Sequence, residues 1–172
     1  VQLPPSTFAL RQATLRQTFL DGNVTRYPES HFLDFVIGGD SLVERMEGFG
    51  NLVTPLNRPW LDTVPDAIAE LRGSRPSPDL GNGRIALLVC GHCGDLGCGA
   101  LTASLHLSVD AVTWADFRWE DGLRDPWAAT DAPEAVAFRR SEYEAALREA
   151  YERLAALPYD ELAHRGRRFL WP

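Results

Sequence analysis

Between positions 90 and 98 the chain places Cys90, His92, Cys93 and Cys98 in one run, LLVCGHCGDLGCGALTA. Thiolates are nucleophiles, redox couples and soft metal ligands. The run therefore admits a dithiol that cycles with a disulfide, a metal centre, or thiols that only pack. Zinc prefers four ligands, and a Cys-x-x-Cys pair with one further cysteine supplies three. His92, adjacent in sequence, is the candidate fourth, giving the set Cys93, Cys98, Cys90 and His92. His106 shares a strand face with Cys98 but stands roughly 27 Å up an extended chain at about 3.3 Å per residue. His31 and His164 have no assignable place. A missing fourth ligand is also how an open, water-filled catalytic position looks.

CGHC, residues 90–93, is the string found at the active site of protein disulfide isomerase. Such a site needs a helix directly after the first cysteine, whose dipole lowers the thiol pKa. Here Gly94, Gly97 and Gly99 come next, each costing a helix interior about 1 kcal/mol relative to alanine. A hairpin fits better: a strand ending near Cys93, a GDLG turn, and a strand starting at Cys98. Opposed positions hold their Cβ atoms roughly 4.5–5.5 Å apart, so Cys93 and Cys98 could share a metal or form a disulfide. Cys90 points to the other face of a straight strand unless Gly91 lets CGHCG turn as a knuckle. Following Leu87, Leu88 and Val89, it also reads as a buried core thiol. Asp95 reads first as a turn residue.

The elements that must position this run emerge from periodicity. TFALRQATLRQTFL is ambiguous between strand and helix, with Phe8, Leu15 and Phe19 as anchors. HFLDFVIGG predicts a strand with His31, Leu33, Phe35 and Ile37 on one side. Ser41 and Glu44 have capping-box spacing for a short helix. Residues 48–62 read as a long surface loop, and loops of that length are often functional. Leu61, Val64, Ile68 and Leu71 recur at helical spacing and predict a helix, with Pro65 near its start and Gly73 just past its end. RIALLVC, residues 84–90, predicts a strand covered on both faces. LTASLHLS alternates as a half-buried strand, with Leu101, Ala103, Leu105 and Leu107 one way and Thr102, Ser104, His106 and Ser108 the other. VTWADFRWE predicts Thr113, Ala115, Phe117 and Trp119 on one face and Trp114, Asp116, Arg118 and Glu120 opposite. AVAFRR adds a short strand. Ser141 and Glu144 repeat the capping spacing before a helix with the stripe Tyr143, Ala146, Leu147, Ala150, Tyr151 and Leu154, stopped by Pro158. The tail reads as partly helical, with Phe169, Leu170 and Trp171 docking. The sum predicts one domain, residues 1–172, of α+β class: a central, mostly antiparallel sheet with helices before and after it.

Composition narrows the chemistry further. All 17 basic residues are arginine. Without lysine, a pyridoxal phosphate Schiff base and the Gly-Lys-Ser/Thr phosphate loop are excluded. No dinucleotide GxGxxG precedes a helix, so neither NAD nor PLP is expected. Net charge is -7, which disfavours nucleic acid and anionic lipid as partners. VQLPPSTFALRQ lacks the charged and apolar regions of a signal peptide, and no stretch is apolar enough to span a bilayer; this predicts a soluble, cytoplasmic protein. In WADFRWED, Asp116, Glu120 and Asp121 invite an acid/base reading, but a surface strand where Arg118 pairs with a carboxylate explains them more simply.

CGDLGCGALTA followed by VTWADFRWED resembles a family of uncharacterised bacterial proteins in which a CGDxGCG element precedes a W-x-D-F strand, some of them labelled oxidoreductase. The resemblance covers roughly the middle third of the chain. It implies a cysteine pair at Cys93 and Cys98, leaves Cys90 less tied to the site, and supplies no mechanism. The leading expectation is a zinc-type site at a cysteine hairpin tip, for stiffening or recognition of a protein or small-molecule partner. The alternatives are a thiol-redox enzyme using Cys93 and Cys98, and an acidic interaction or inhibitor-like protein whose cysteines only pack.

Overall fold

A computed structural model describes residues 3–15, 18–21, 23–26, 29–46, 51–81 and 83–161, with the backbone alone over 18–26. The N-terminal run that fits either period is extended. β1 (Pro5–Ser6) and β2 (Phe8–Leu15) lead into a small hairpin, β3 (Thr18–Asp21) with β4 (Asn23–Arg26), and then β5 (Ser30–Ile37). β2 and β5 pair antiparallel over their whole length, from Phe8↔Ile37 to Leu15↔Ser30. That ladder satisfies the backbone of β2 and buries Phe8 and Leu10, and such a tertiary gain outweighs local preference. Leu15 is half-buried; the side chain of Phe19 lies outside the described residues. β5 is covered on both sides, with Phe32, Leu33, Asp34 and Phe35 at most 2% exposed.

β6 (Asp40–Ser41) turns back on β5, and Ser41 caps α1 (Leu42–Arg45) with its Oγ accepting from Glu44 N at 3.0 Å. The same hydroxyl donates to the buried Asp34 carboxylate, which also accepts from Val43 N at 3.3 Å. β7 (Leu52–Val53), a 3-10 turn at Arg58–Trp60 and α2 (Val64–Leu71) come next. Then come β8 (Arg84–Cys90), β9 (Ala100–Leu107), β10 (Ala111–Glu120), β11 (Trp127–Ala128), β12 (Ala135–Arg139) and α3 (Arg140–Ala155). A seven-stranded sheet runs β1-β12-β10-β9-β8-β7, with β11 on β10. Its β1–β12 ladder is parallel and the rest antiparallel. A separate three-stranded sheet is β2-β5-β6.

The predicted α+β class, with helices before and after a central sheet, is therefore corrected to a mostly β chain. The segment before the large sheet is chiefly strand, and α1 and α2 are only 4 and 8 residues long. Among the described residues only α3, at 16 residues, is a long helix. No helix there is long and apolar enough to cross a membrane. Of the predicted partly helical tail, residues 162–172, with His164 and the docking residues Phe169, Leu170 and Trp171, lie outside the described residues.

Two bulges rephase the strands that carry the core. Between Ala115 and Arg118 the β9–β10 register shifts, with Asp116 at φ 51°. The extra residue reverses the alternation: Val112 and Trp114 are buried before it, Phe117 and Trp119 after it. Trp114, which strict alternation puts opposite Phe117, is thereby a core residue. A second shift between Ala86 and Leu88 lets the consecutive Leu87 and Leu88 both be buried.

Phe8, Phe35, Trp114, Phe138 and Tyr143 meet with ring centroids 4.6–6.0 Å apart, pairs worth about 0.5–1.5 kcal/mol each beyond their burial. Tyr143 Oη donates to Leu71 O at 2.9 Å and ties α3 to the end of α2. α3 starts one residue before Ser141, without a side-chain cap, and Tyr151 is exposed rather than part of the buried stripe. Glu144 instead accepts from Arg72 Nε at 2.6 Å. A smaller cluster of Phe32, Val53, Val89 and Ala100, flanked by Leu15, Trp60 and Leu96, lies where the cysteine loop leaves the sheet.

Candidate metal centre

The loop between β8 and β9 is shaped from its glycines upward. β8 ends at Cys90, paired with Leu52 of β7, and Gly91 N continues the ladder by donating to Asn51 O at 2.8 Å. A Cβ at Gly91 would collide with the Leu15 side chain and meet Asn51 O at 3.0 Å. A larger residue there would require Leu15 to move and Asn51 O to give by a few tenths of an ångström. The chain then coils once: Gly94 N donates to Cys90 O at 2.8 Å, and Gly94 takes φ 68°, a region glycine enters without steric cost. The Trp60 indole packs on Gly94, its atoms 3.2–3.5 Å from where a Cβ would stand. Residues 51–62, expected as part of a surface loop, instead hold β7 and the 3-10 turn with Leu52, Val53, Thr54, Leu56 and Asn57 buried, and they reach the cysteine run through Trp60.

Asp95 organises the second half. Its Oδ1 accepts from Gly97 N at 2.7 Å and caps a 3-10 turn over Leu96–Cys98. Cys98 N donates to Asp95 O at 3.2 Å and Gly99 N to Leu96 O at 2.9 Å. Asp95 N itself donates to Cys93 Sγ at 3.4 Å. This is the turn role its position predicts, with a consequence: it delivers Cys98 beside Cys93.

The sulfurs of Cys93 and Cys98 are 3.4 Å apart, and those of Cys90, Cys93 and Cys98 all lie within 4.8 Å of one another. Three thiolates around one tetrahedral ion at about 2.3 Å each would stand roughly 3.8 Å apart. The Cys93–Cys98 pair is slightly closer than that, and no pair in the group is more than 4.8 Å apart, so one ion can reach all three. All three cysteines are free of disulfide bonds; Cys93 and Cys98 are exposed and Cys90 half-buried.

The route to this arrangement differs from a GDLG hairpin. β8 stops at Cys90 and β9 starts at Ala100, so Cys93 and Cys98 both ride on the loop and do not face each other across a ladder. The coil at Gly91–Gly94 brings Cys90 round to the same side, the knuckle that the glycine permits. The element after CGHC is a three-residue 3-10 turn, too short to provide the helix dipole of a disulfide isomerase site.

Although Cys93 is partly open to solvent, desolvation of its sulfur pushes the thiol up to about 12; the Asp95 N–H works against this, and the neighbouring thiols of Cys98 and Cys90 add to the rise. A lone thiolate is disfavoured at this position, because desolvation and the neighbouring sulfurs both work against its charge. A divalent ion held there would supply positive charge.

Among the described residues, the group of mutually close ligand atoms is made of the three sulfurs, and His92 is outside it. His106 is exposed on β9, and His31 Nδ1 lies 3.0 Å from Thr14 Oγ1. One wall of the centre opens on a groove of about 590 Å3 lined by Asp79, Leu80, Cys93, Gly94, Asp95, Leu96, Glu120 and Gly122.

Periodicity carried no signal for Arg84, which organises the sheet face beside that groove. It donates from Nε to Glu120 at 2.8 Å, from Nη1 to Asp116 Oδ2 at 2.9 Å and Ser104 at 3.0 Å, and from Nη2 to Thr102 at 2.6 Å. Arg118 pairs with Asp116 at 2.8 Å, as the surface-strand reading expects. The Arg118 guanidinium first, and Arg84 after it, hold the Asp116 carboxyl below its usual range. These carboxylates serve an ion-pair network spanning three strands, whose partners meet only after the sheet forms.

Comparison with models of protein families, with curated proteins and with solved structures finds no match to this chain.

Proposed function

We propose that Cys90, Cys93 and Cys98 hold a zinc-type divalent ion as thiolates, stiffening the β8–β9 loop so that it can be presented to a partner. The observation that carries this is the gathering of three sulfurs within 4.8 Å on one loop. An all-sulfur set is soft and suits zinc over calcium or magnesium. Three thiols outside any disulfide also fit a reducing compartment such as the cytoplasm. The test is elemental analysis of protein purified without added metal, with thiol titration before and after chelation. Stoichiometric zinc, with thiols masked until chelator is added, is expected; metal-free protein with three freely titrating thiols refutes the reading.

The 3.4 Å approach of Cys93 and Cys98 favours one second reading, a dithiol that closes to a disulfide. Its mark in the same titration is metal-free protein that loses two thiols on mild oxidation and regains them with reductant.

A further inference from the structure

We infer that the metal's fourth coordination position is filled from outside the chain, by a small neutral Lewis base admitted through the groove beside Cys93. This rests on the metal reading above. The first ground is the donor count: three sulfurs come together, and among the described residues no imidazole or carboxylate joins them within 4.8 Å. Zinc keeps four ligands, and sites with three protein ligands leave one place to water or substrate.

The second ground is what the carboxylates near the centre already do. Asp95 Oδ1 accepts from Gly97 N at 2.7 Å and holds the 3-10 turn. Glu120 Oε1 accepts from Arg84 Nε at 2.8 Å and from Thr102 Oγ1 at 2.7 Å. Recruiting either to the ion would dismantle the loop or the sheet network. The third ground is access. Cys93 and Cys98 are exposed, and Cys93 borders a groove of about 590 Å3, a size usual for small-molecule sites.

Charge then selects the ligand class. A divalent ion with three thiolates carries one net negative charge, and Asp79, Asp95 and Glu120 line the groove. Anions are repelled there, while neutral donors such as an amine, an imidazole or water are not. Exchange at this position is simple substitution: the donor's lone pair replaces that of a bound water, and no electron is transferred.

The experiment loads the full chain with Co2+. Thiolate-to-cobalt charge-transfer absorption reports the sulfur ligands, and the visible d–d bands report the fourth. Imidazole is expected to shift the d–d bands saturably and at lower concentration than azide, and His92→Ala is expected to leave the starting bands in place. Bands indifferent to both probes, azide binding ahead of imidazole, or loss of the parent bands in His92→Ala would each overturn the inference while the charge-transfer absorption keeps the metal reading standing. Absence of that absorption would instead refute the metal reading itself.

Discussion

Cys98 shows how much one residue depends on its neighbours' backbone. Its sulfur reaches Cys93 because Asp95 caps the intervening turn. On the metal reading, replacing Cys98 with Ser removes a ligand, so zinc affinity in a competition titration with a chromophoric chelator should fall by more than the roughly 10- to 100-fold typical of losing a supporting partner. Asp95→Ala, which keeps all three sulfurs, should fall within that smaller range. Asp34 yields a different prediction. Burial raises its pKa from 3.8 despite the bonds from Ser41 and Val43 and the nearby Arg11. A carboxyl whose folded pKa is raised contributes stability below its unfolded value and loses it as pH rises through the folded one. Thermal melts should therefore show the wild type losing stability relative to Asp34→Asn as pH rises from below 3.8 toward neutrality. A difference that stays flat or grows with pH would contradict the sign.

At the scale of elements, turn chemistry was more legible than pairing. Ser41 caps α1 as its spacing predicts, because a cap is decided within four residues; the same spacing at Ser141 fails because α3 docks one residue earlier against the core. The cysteine loop was legible as glycine-rich and non-helical, but not as a coil followed by a 3-10 turn, since its shape is set by Trp60, Leu15 and Asn51 from elsewhere in the chain. Gly94→Ala forces φ 68° on a residue with a Cβ facing that indole. It should cost about 1–2 kcal/mol in urea unfolding and lower zinc affinity as well. Unchanged affinity would mean that the coil at Cys90–Gly94 does not set the sulfur geometry.

At the scale of the molecule, the aromatic cluster joins both sheets to α3, and Trp114 on β10 meets the rings of Phe8, Phe35, Phe138 and Tyr143. Trp114→Ala should destabilise by about 3–5 kcal/mol, seen as a large fall in the urea midpoint; a surface-like loss of a few tenths would place the tryptophan outside the core. Metal should act on the same equilibrium. An ion that binds only the folded chain adds about 2.7 kcal/mol when present at about 100 times its Kd, so zinc should raise the melting temperature and chelator should reverse the rise.

Residue types alone determined the chemistry available to this protein: no lysine to form a Schiff base, three thiols in one glycine-laced run, and an acidic balance of charge. They also determined that no isomerase helix comes after CGHC, because glycine's conformational entropy acts locally. Tertiary structure decided the rest. Whether TFALRQATL is strand depended on a partner some twenty residues away, which side of β10 faces the core depended on a bulge, and Cys90 joined the other sulfurs only because β7 and Trp60 hold the loop coiled. Each of these is a non-local contact whose gain exceeds the small local preferences that a linear pattern records.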